Sequence, residues 1–358
     1  MTDGIHFVIE PECLAGIGQL ISGDKTRVSP FQYGATEKLT DIHQDKLQQS
    51  GVLDAGGQIV SNLRPTLELL ASTRAYTRIR LSPGAELLEY NVYFAPDGSR
   101  AVSITSTDKG LVVQDPAPTE EFIEGLRAYT GGSIIRACDF DEEMRVEEAL
   151  TLAALIDLRR QSVLRAFVDK TLSAQESYDA HAIYEAIANT PSSSQWLVAI
   201  IQDMVESEIP LSETTIERTL TDLATSNHVV KTGEQYMLGE VESILGSRFL
   251  VFDNIMVLWS GRERDDGEIF NVGFTCLQAG VHELLFLDAS GGRFQFTTLS
   301  SEALLEYVRH FLQDPEALRE MAEETSREEE SPRAFCPNCG IEVSPEDRFC
   351  RKCGKSLH

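Results

Sequence analysis

The amino-acid sequence predicts an α+β fold built from two similar lobes, followed by a small cysteine-containing module. Three observations lead to this prediction: a segment that recurs about 180 residues further along, short apolar strands separated by glycine-containing turns, and four cysteines in two Cys-x-x-Cys pairs near the C-terminus. A chain of 358 residues, 42% of them hydrophobic, can bury the cores of two such lobes. The predicted divisions are a first lobe, a central helical tract, a second lobe, an acidic linker and a C-terminal module, over residues 1–140, 141–210, 211–313, 314–333 and 334–358.

The first lobe is predicted to hold an antiparallel sheet with covering helices. Apolar residues recur at helical spacing in VSNLRPTLELLAS, and again from Thr119 to Tyr129, where Phe122, Ile123 and Leu126 share one face. Strands are predicted at Tyr76–Leu81, Glu86–Phe94, Arg100–Thr105 and Leu111–Gln114. Because the turns between them are short and contain glycine, we expect the strands to be antiparallel.

A central helical tract joins the lobes and leads into a segment with the shape of a winged helix. The tract comprises RVEEALTLAALIDLRRQSVLRAFVDKTL, YDAHAIYEAIAN and WLVAIIQDMVES, and in SETTIERTLTDLATSNHVVKTGEQYMLG a helix precedes a strand, a glycine wing and a second strand. The exposed positions of that helix are predicted to be Glu213, Thr214, Glu217, Arg218, Thr221 and Asp222. With one positive charge among them, entry into a DNA major groove is unfavourable, and a scaffold or protein-contact role is favoured.

The second lobe is predicted to repeat the order of the first. Its strands are predicted in RFLVFDNIMVLWS, at Glu268–Thr275, in ELLFLDA and in RFQFTTL. A covering helix follows from Ser300 to Leu312, with Ser300 as its N-cap. Glu302 lies in its first turn, where a carboxylate interacts favourably with the helix dipole.

The two lobes share a sequence echo. EYNVYF at Glu89–Phe94 returns as IFNVGF at Ile269–Phe274, and the helix, turn and strand signals on either side recur in the same order, at offsets that grow from 177 to 182 residues. This agreement predicts an internal duplication, with the lobes related by a pseudo-two-fold axis. The alternative is that helix, hairpin and helix recur by chance.

The seven cysteines fall into two groups. Cys13, Cys138 and Cys276 stand singly among apolar neighbours and are predicted to be inert core residues. The other four form two Cys-x-x-Cys pairs with ten residues between the pairs: Cys336, Cys339, Cys350 and Cys353. Four thiolates satisfy the tetrahedral preference of Zn²⁺ and leave no position for water, so the module is predicted to be a zinc ribbon with one structural ion. Redox-active thiols are the alternative.

Charge limits the partners. Lys and Arg number 31 against 57 Asp and Glu, so the net charge of -26 repels nucleic-acid phosphates and anionic lipids. The N-terminus MTDGIHFVIE has no signal-peptide character, and no apolar run is long enough to span a bilayer. In the linker DPEALREMAEETSREEESPRA the composition favours helix early, and the last part is a solvated charge run without an apolar face. We therefore expect a cytoplasmic protein without membrane insertion and without a nucleic-acid partner.

The sequence offers no recognisable catalytic constellation. The histidines are dispersed at His6, His43, His181, His228, His282, His310 and His358. No serine or cysteine lies in a nucleophile elbow, and GIGQLISG lacks the Lys-Ser/Thr pair of a phosphate loop. We expect the protein not to be an enzyme. An enzyme of unfamiliar type is the least favoured of the functional hypotheses.

The first lobe resembles a known family. QDKLQQSGVLDAGGQIVSNLRPTLELLASTRAYTRIRL and GLVVQDPAPTEEFIEGL are similar to the N-terminal half of EspG, the cytosolic secretion chaperone of type VII (ESX) systems, and the similarity extends over residues 5–312. The resemblance implies a quasi-two-fold α+β fold and a chaperone or adaptor that holds a helical secretion substrate. The linker and the ribbon depart from that family. The alternative function is a winged-helix transcriptional regulator or scaffold with a zinc-ribbon tail.

One loop is predicted to contact the partner. SGRERDDGEI, at Ser260–Ile269, is longer and more charged than the corresponding SPGAE of the first lobe, and loops that exceed the needs of a fold are often recognition elements. Its candidate contact residues are Arg262, Arg264, Asp265 and Asp266. The alternative is a solvated hairpin tip. Shortening the loop is expected to weaken partner capture without lowering the melting temperature.

Overall fold

The computed structural model describes residues 4–32, 39–83, 87–171, 173–205, 211–290, 292–313, 334–335 and 342–343. Contacts divide the chain into two units, Met1–Pro315 and Glu316–His358. The larger unit combines helices with an antiparallel sheet, as the sequence predicts. Among the described residues, no helix has the length and hydropathy needed to cross a membrane.

The first half of the large unit contributes five strands: β1 (Ile5–Ile9), β2 (Ala75–Pro83), β3 (Leu88–Phe94), β4 (Ala101–Thr107) and β5 (Gly110–Asp115). The strands β2 to β5 form an antiparallel meander, and β1 pairs with β5 at its outer edge. All four strands predicted for the first lobe are present, with ends that differ by no more than two residues from those of the prediction. The alternation of apolar and polar residues, which has the period of a pleated strand, explains this agreement.

The helices of the first half are α1 (Leu14–Leu20), α2 (Asp41–Gln49), α3 (Arg64–Ser72) and α4 (Thr119–Thr130). Leu67 and Leu70 of α3 pack with Tyr93, Val102 and Val113 in one core against the sheet. On the opposite face, the ring of Phe122 in α4 stacks on Tyr90 at a centroid distance of 4.0 Å. Helices therefore cover both faces of this half of the sheet.

The middle of the chain is mainly helical. It contains β6 (Asp141–Arg145), α5 (Val146–Asp169), β7 (Ser177–Tyr178), α6 (Ala180–Ala188), α7 (Leu197–Met204), α8 (Glu213–Thr225), β8 (Val229–Thr232), β9 (Gln235–Leu238) and α9 (Glu240–Arg248). The strands β7, β9 and β8 form a separate three-stranded sheet. The amphipathic helices surround α5, whose first half is buried on all sides.

An ion pair lies inside this helical core. Arg160 of α5 is 2% exposed, and its Nη1 donates to Asp157 Oδ1 at 2.6 Å. The same guanidinium donates to the carbonyl oxygens of Phe249, Gln195 and Leu250, at 2.5, 2.7 and 3.1 Å. Each of the three guanidinium nitrogens thus has at least one acceptor, which is the condition under which a buried arginine is tolerated.

The second half adds β10 (Asn254–Glu263), β11 (Ile269–Gln278), β12 (Leu284–Ser290), β13 (Arg293–Leu299) and α10 (Ser301–Gln313). Ser300 accepts a hydrogen bond from the Ala303 amide at 3.2 Å, which confirms the predicted cap. The strand predicted in RFLVFDNIMVLWS begins only at Asn254. Phe249 and Phe252, which precede it, are buried in the helical core, and an apolar run alone does not distinguish such residues from a strand.

The ten long strands form one sheet in the order β1-β5-β4-β3-β2-β10-β11-β12-β13-β6. The expectation of a separate sheet in each lobe is therefore wrong. The innermost strands, β2 and β10, pair antiparallel from Ala75↔Arg262 to Pro83↔Asn254. Two separate sheets would each expose a long strand edge with unpaired N–H and C=O groups, and pairing the two edges removes both.

The helices α4 and α10 cover one face of this sheet near the β2–β10 junction. Phe274 of β11 packs its ring against Tyr307 and Phe311 of α10, at centroid distances of 5.4 and 6.4 Å. At the junction, Thr77 and Ser260 are fully buried, and their hydroxyl oxygens are 2.7 Å apart. Thr77 also donates to the Phe311 carbonyl at 2.8 Å, so the junction and α10 are linked.

In the small unit, the structure describes two short strands, β14 (Ala334–Phe335) and β15 (Glu342–Val343). They pair antiparallel, with Ala334 opposite Val343 and Phe335 opposite Glu342.

Candidate functional site

The face of the sheet opposite α4 and α10 is open at its middle strands. On β2, Tyr76, Arg78 and Arg80 are partly exposed, whereas the alternate residues face the buried side. Trp259 of β10 lies directly opposite Arg78 and is 37% exposed. Asn271 of β11 is exposed on the same face. We call Tyr76, Arg78, Arg80, Trp259 and Asn271 the central strip.

Two glycines set the position of the aromatic rings in the central strip. A Cβ atom added to Gly261 would collide with the ring of Tyr76. A Cβ atom added to Gly273 would lie 2.9 Å from Trp259 Cδ1 and 2.5 Å from the Leu258 carbonyl oxygen. Glycine in the middle of a strand commonly marks such a close approach. The two rings therefore lie directly over glycine backbone and present broad, flat faces.

Hydrogen bonds hold the arginines of the central strip in place. Arg78 Nε donates to Asn91 Oδ1 at 2.8 Å, and Arg80 Nε donates to Glu89 Oε2 at 2.9 Å. The Arg80 guanidinium lies 5.4 Å from the centre of the Trp259 ring, within the range of a cation–π interaction. Because these side chains are already ordered, a partner that contacts them loses little conformational entropy.

A cleft of about 300 Å³ lies beside Trp259, between the sheet and α7. Its apolar wall is formed by Ile200, Met204, Ile255 and Val257, and its rim carries Asp203 and the serines at 192–194. The cleft and the ring of Trp259 form a continuous apolar surface. Such a surface can receive apolar side chains of a partner.

The predicted contact loop lies at the β10–β11 hairpin, away from the cleft. Arg262 belongs to β10, opposite Phe270, and is therefore not part of the connection. Asp265 pairs with Arg74 at 2.8 Å, and Asp266 accepts from the Glu268 amide at 2.9 Å. The Arg264 guanidinium lies 5.3 Å from the ring centre of Phe270.

The first half of the chain holds this hairpin. The Arg27 amide donates to Glu263 Oε2 at 2.6 Å, and Arg27 Nη1 donates to the Gly267 carbonyl at 2.7 Å. Shortening the connection would remove the hydrogen bond between Arg27 and Gly267 and the ion pair between Arg74 and Asp265. A role in partner contact stays a prediction, but we now expect a shortened loop also to lower stability.

Sequence reasoning missed the central strip. The signal was present in AYTRIRL, where an aromatic residue and two arginines alternate with apolar residues, and in the two glycines within predicted strands. Each signal is common by itself. Only the pairing of β2 with β10 places Arg78 opposite Trp259.

The four predicted zinc ligands, Cys336, Cys339, Cys350 and Cys353, lie outside the described residues. Among the residues that the structure does describe, no cluster of His, Cys, Asp or Glu could hold a metal.

The described cysteines are poor nucleophiles. Cys13 and Cys276 are buried, and Cys138 is half-buried. Burial raises the pKa of the Cys276 thiol to about 12, because the thiolate would lose its hydration. Burial also raises the pKa of the Cys13 and Cys138 thiols. All three are therefore protonated at neutral pH.

Comparison with known proteins identifies one domain. Residues 335–357 match the zinc-ribbon domain family, and the larger unit belongs to the α+β class. A similar solved structure is that of the Mycobacterium tuberculosis type VII secretion system chaperone EspG5 in complex with a PE25–PPE41 dimer. The two chains are 9% identical, with a TM-score of 0.45, and the similarity covers 87% of this chain and 96% of that chain. No curated protein matches the sequence.

Proposed function

We propose that this protein is a cytosolic chaperone or adaptor that holds a helical secretion substrate of a type VII-like system, and that the central strip is its binding surface. The sequence resemblance to EspG supports the class of partner. Tryptophan, tyrosine and arginine are the residues that dominate binding energy at protein interfaces, and the central strip contains all three. In this proposal the protein is not an enzyme.

The observation that carries the proposal is the exposed Trp259 ring beside an apolar cleft. At 37% exposure, Trp259 presents apolar area to solvent in the middle of the sheet. We propose that apolar side chains at the tip of a helical partner enter the cleft and cover the ring. Arg80, stacked on Trp259, would then meet polar groups at the edge of the contact.

We also propose that the two halves are structural repeats. The strand order is symmetric about the β2–β10 pair. Within the sequence echo, Val92 corresponds to Val272; Val92 pairs with Thr77, and Val272 pairs with Ser260. Since Thr77 and Ser260 lie directly opposite each other, the proposed pseudo-two-fold axis passes through this pair. The lobe boundaries at 1–140 and 211–313 belong to the same proposal.

The arrangement of α8, β8 and β9 favours the winged-helix regulator as a second candidate, since a helix followed by a β-hairpin is the core of that motif. Asp222 on α8 pairs with Arg145 at 2.6 Å, and Arg218 is the sole basic residue of the helix. An acidic helix on a protein of net charge -26 is repelled by DNA. Salt-sensitive retardation of DNA in a gel at low ionic strength would support this candidate instead.

The zinc ribbon is proposed to hold one structural Zn²⁺ through Cys336, Cys339, Cys350 and Cys353. The family match and the thiolate chemistry of the ligands support this assignment. A site closed by four thiolates has no open coordination position, so its contribution is to fold the ribbon.

The proposal is tested by capture from the native cell. Full-length wild type, Trp259→Ala and a control, Phe167→Ala, are tagged and recovered, and their partners are identified by mass spectrometry. Phe167 is 68% exposed at the end of α5, so its removal matches the loss of an exposed ring. We expect a helical type VII-like substrate with wild type and control, and at least tenfold less with Trp259→Ala, since loss of a central interface tryptophan typically costs about 2 kcal/mol or more. Equal recovery by all three proteins would refute the binding surface; recovery of no such substrate by wild type would refute the function.

A further inference from the structure

His228 lies among acidic side chains at a junction of four elements. It precedes β8, and its Nδ1 is 2.7 Å from Glu242 Oε1 in the first turn of α9. On the other side, its Nε2 is 3.8 Å from Glu142 Oε2 on β6. The ring meets Phe140 edge-on at a centroid distance of 6.2 Å. The imidazole therefore lies between two carboxylates that come from different parts of the chain.

The carboxylates differ in their access to water. The side chain of Glu242 is 5% exposed, that of His228 is 14% exposed, and that of Glu142 is 45% exposed. A third carboxylate, Glu148 of α5, also acts on the ring through its charge. The charge of Glu148 is itself balanced by Arg145, whose Nη2 lies 2.8 Å from Glu148 Oε1 and also pairs with Asp222 of α8. The immediate surroundings of His228 are consequently negative.

These contacts connect two separate sheets. Glu142 lies on β6, the edge strand of the ten-stranded sheet, whereas His228 directly precedes β8 in the three-stranded sheet. A protonated imidazole has two N–H donors and can serve both carboxylates. A neutral ring has one donor, and its other nitrogen turns a lone pair toward a carboxylate oxygen.

We propose that His228 is a pH-dependent latch that, when protonated, bridges Glu242 and Glu142 and so holds the three-stranded sheet against strand β6. When the ring loses its proton, the ion pair with Glu142 is lost and only the hydrogen bond to Glu242 remains, so the three-stranded sheet opens more often from this edge. The latch is independent of the function proposed for the central strip.

The direction of the pH effect follows from the environment. The hydrogen bond to Glu242 raises the pKa of His228 above its ordinary value of 6.5, and the charges of Glu242, Glu142 and Glu148 act in the same direction. A raised pKa in the folded state means that the latch contributes fully below pH 6.5 and loses its contribution as the pH rises through the folded-state pKa. Each unit of difference corresponds to a factor of about ten in the opening equilibrium.

The first experiment titrates His228 in the full-length protein by NMR, with its Cε1–H signal assigned by comparison with His228→Gln. We expect a midpoint above 6.5 in wild type and a lower midpoint in Glu142→Gln, which removes a half-exposed charge and is compatible with folding. A wild-type midpoint at or below 6.5, or a midpoint that Glu142→Gln leaves unchanged, would overturn the latch.

The second experiment measures hydrogen exchange of the β8 and β9 amides at pH 6.0 and 8.5, corrected for intrinsic exchange. We expect opening to increase about tenfold for each unit by which the pKa is raised, and to depend less on pH in Glu142→Gln, in which Glu242 still raises the pKa of His228. His181→Gln is the matched control, because His181 lies 3.6 Å from Glu213 but is 65% exposed. The same pH dependence in wild type and Glu142→Gln would refute the latch.

Discussion

The hydroxyl pair at the β2–β10 junction leads to an asymmetric prediction. Thr77 has one hydroxyl proton, and it is donated to the Phe311 carbonyl, which can only accept. Ser260 must therefore donate to Thr77 across the 2.7 Å contact. Both residues are fully buried, so neither hydroxyl can turn to water. Thr77 is thus donor and acceptor, whereas Ser260 is donor only.

Thr77→Val keeps the shape of the side chain but leaves two groups without partners, the Ser260 hydroxyl and the Phe311 carbonyl. At about 1–3 kcal/mol for each buried unpaired group, we expect the free energy of unfolding to fall by about 3 kcal/mol. Ser260→Ala removes one hydrogen bond and leaves no donor unpaired, so a loss of about 1 kcal/mol is expected. In the Thr77→Val background, Ser260→Ala removes the unpaired donor and should cost nothing or restore stability.

The assay is a double-mutant cycle by urea unfolding, followed by tryptophan fluorescence. Trp259, next to Ser260, reports on the junction itself. We expect a coupling energy of about 1–2 kcal/mol between the two positions. If the losses in free energy of unfolding of the two single variants add to that of the double variant within about 0.3 kcal/mol, the hydrogen-bond assignment is refuted. If Thr77→Val lowers the free energy of unfolding by less than about 1 kcal/mol, water reaches the junction.

Three further predictions concern other parts of the fold. Arg160→Lys should lower the free energy of unfolding by about 3–5 kcal/mol, because an ammonium cannot reach Asp157 and three carbonyl oxygens at once; a loss under about 1 kcal/mol in urea unfolding would contradict the buried network. Gly273→Ala should lower the free energy of unfolding by about 1–3 kcal/mol through overpacking and change tryptophan emission. The control is Gly125→Ala in α4, where the added Cβ meets open space. In thermal melts of both variants, the control should be neutral or stabilising. Chelation with EDTA, or Cys336→Ser, should remove about one zinc per chain by elemental analysis and leave the main melting transition unchanged, since the ribbon belongs to a separate unit; a shift of that transition would show that the metal also supports the body.

The local elements were predictable because their causes are local. The meander of the first half follows from alternation of period two, and α10 follows from apolar spacing behind a serine cap. The zinc ribbon follows from two short cysteine spacings, and the family match at 335–357 agrees. The apolar run before Asn254 was misassigned because Phe249 and Phe252 serve a helical core whose partners are distant in sequence.

The candidate sites were much less predictable. The central strip joins Tyr76 and Arg78 to Trp259, across about 180 residues of chain, and no local pattern relates them. The predicted contact loop, by contrast, rests on length and charge. Its charged side chains have partners within this chain: Asp265 pairs with Arg74, Asp266 accepts from the Glu268 amide, and Arg264 lies against Phe270. Excess loop length identifies a variable surface more readily than it identifies a binding one.

The sequence by itself determined most of the strands and helices, and the position of the zinc-ribbon module that the family match covers. The tertiary structure alone decided that the strands of both halves join in one sheet, that Trp259 lies beside an apolar cleft, and that His228 lies between Glu142 and Glu242. The physical reason is that hydrophobic periodicity acts over a few residues, whereas strand edges and buried charges find their partners through contacts between distant segments, whose free energy no local pattern records.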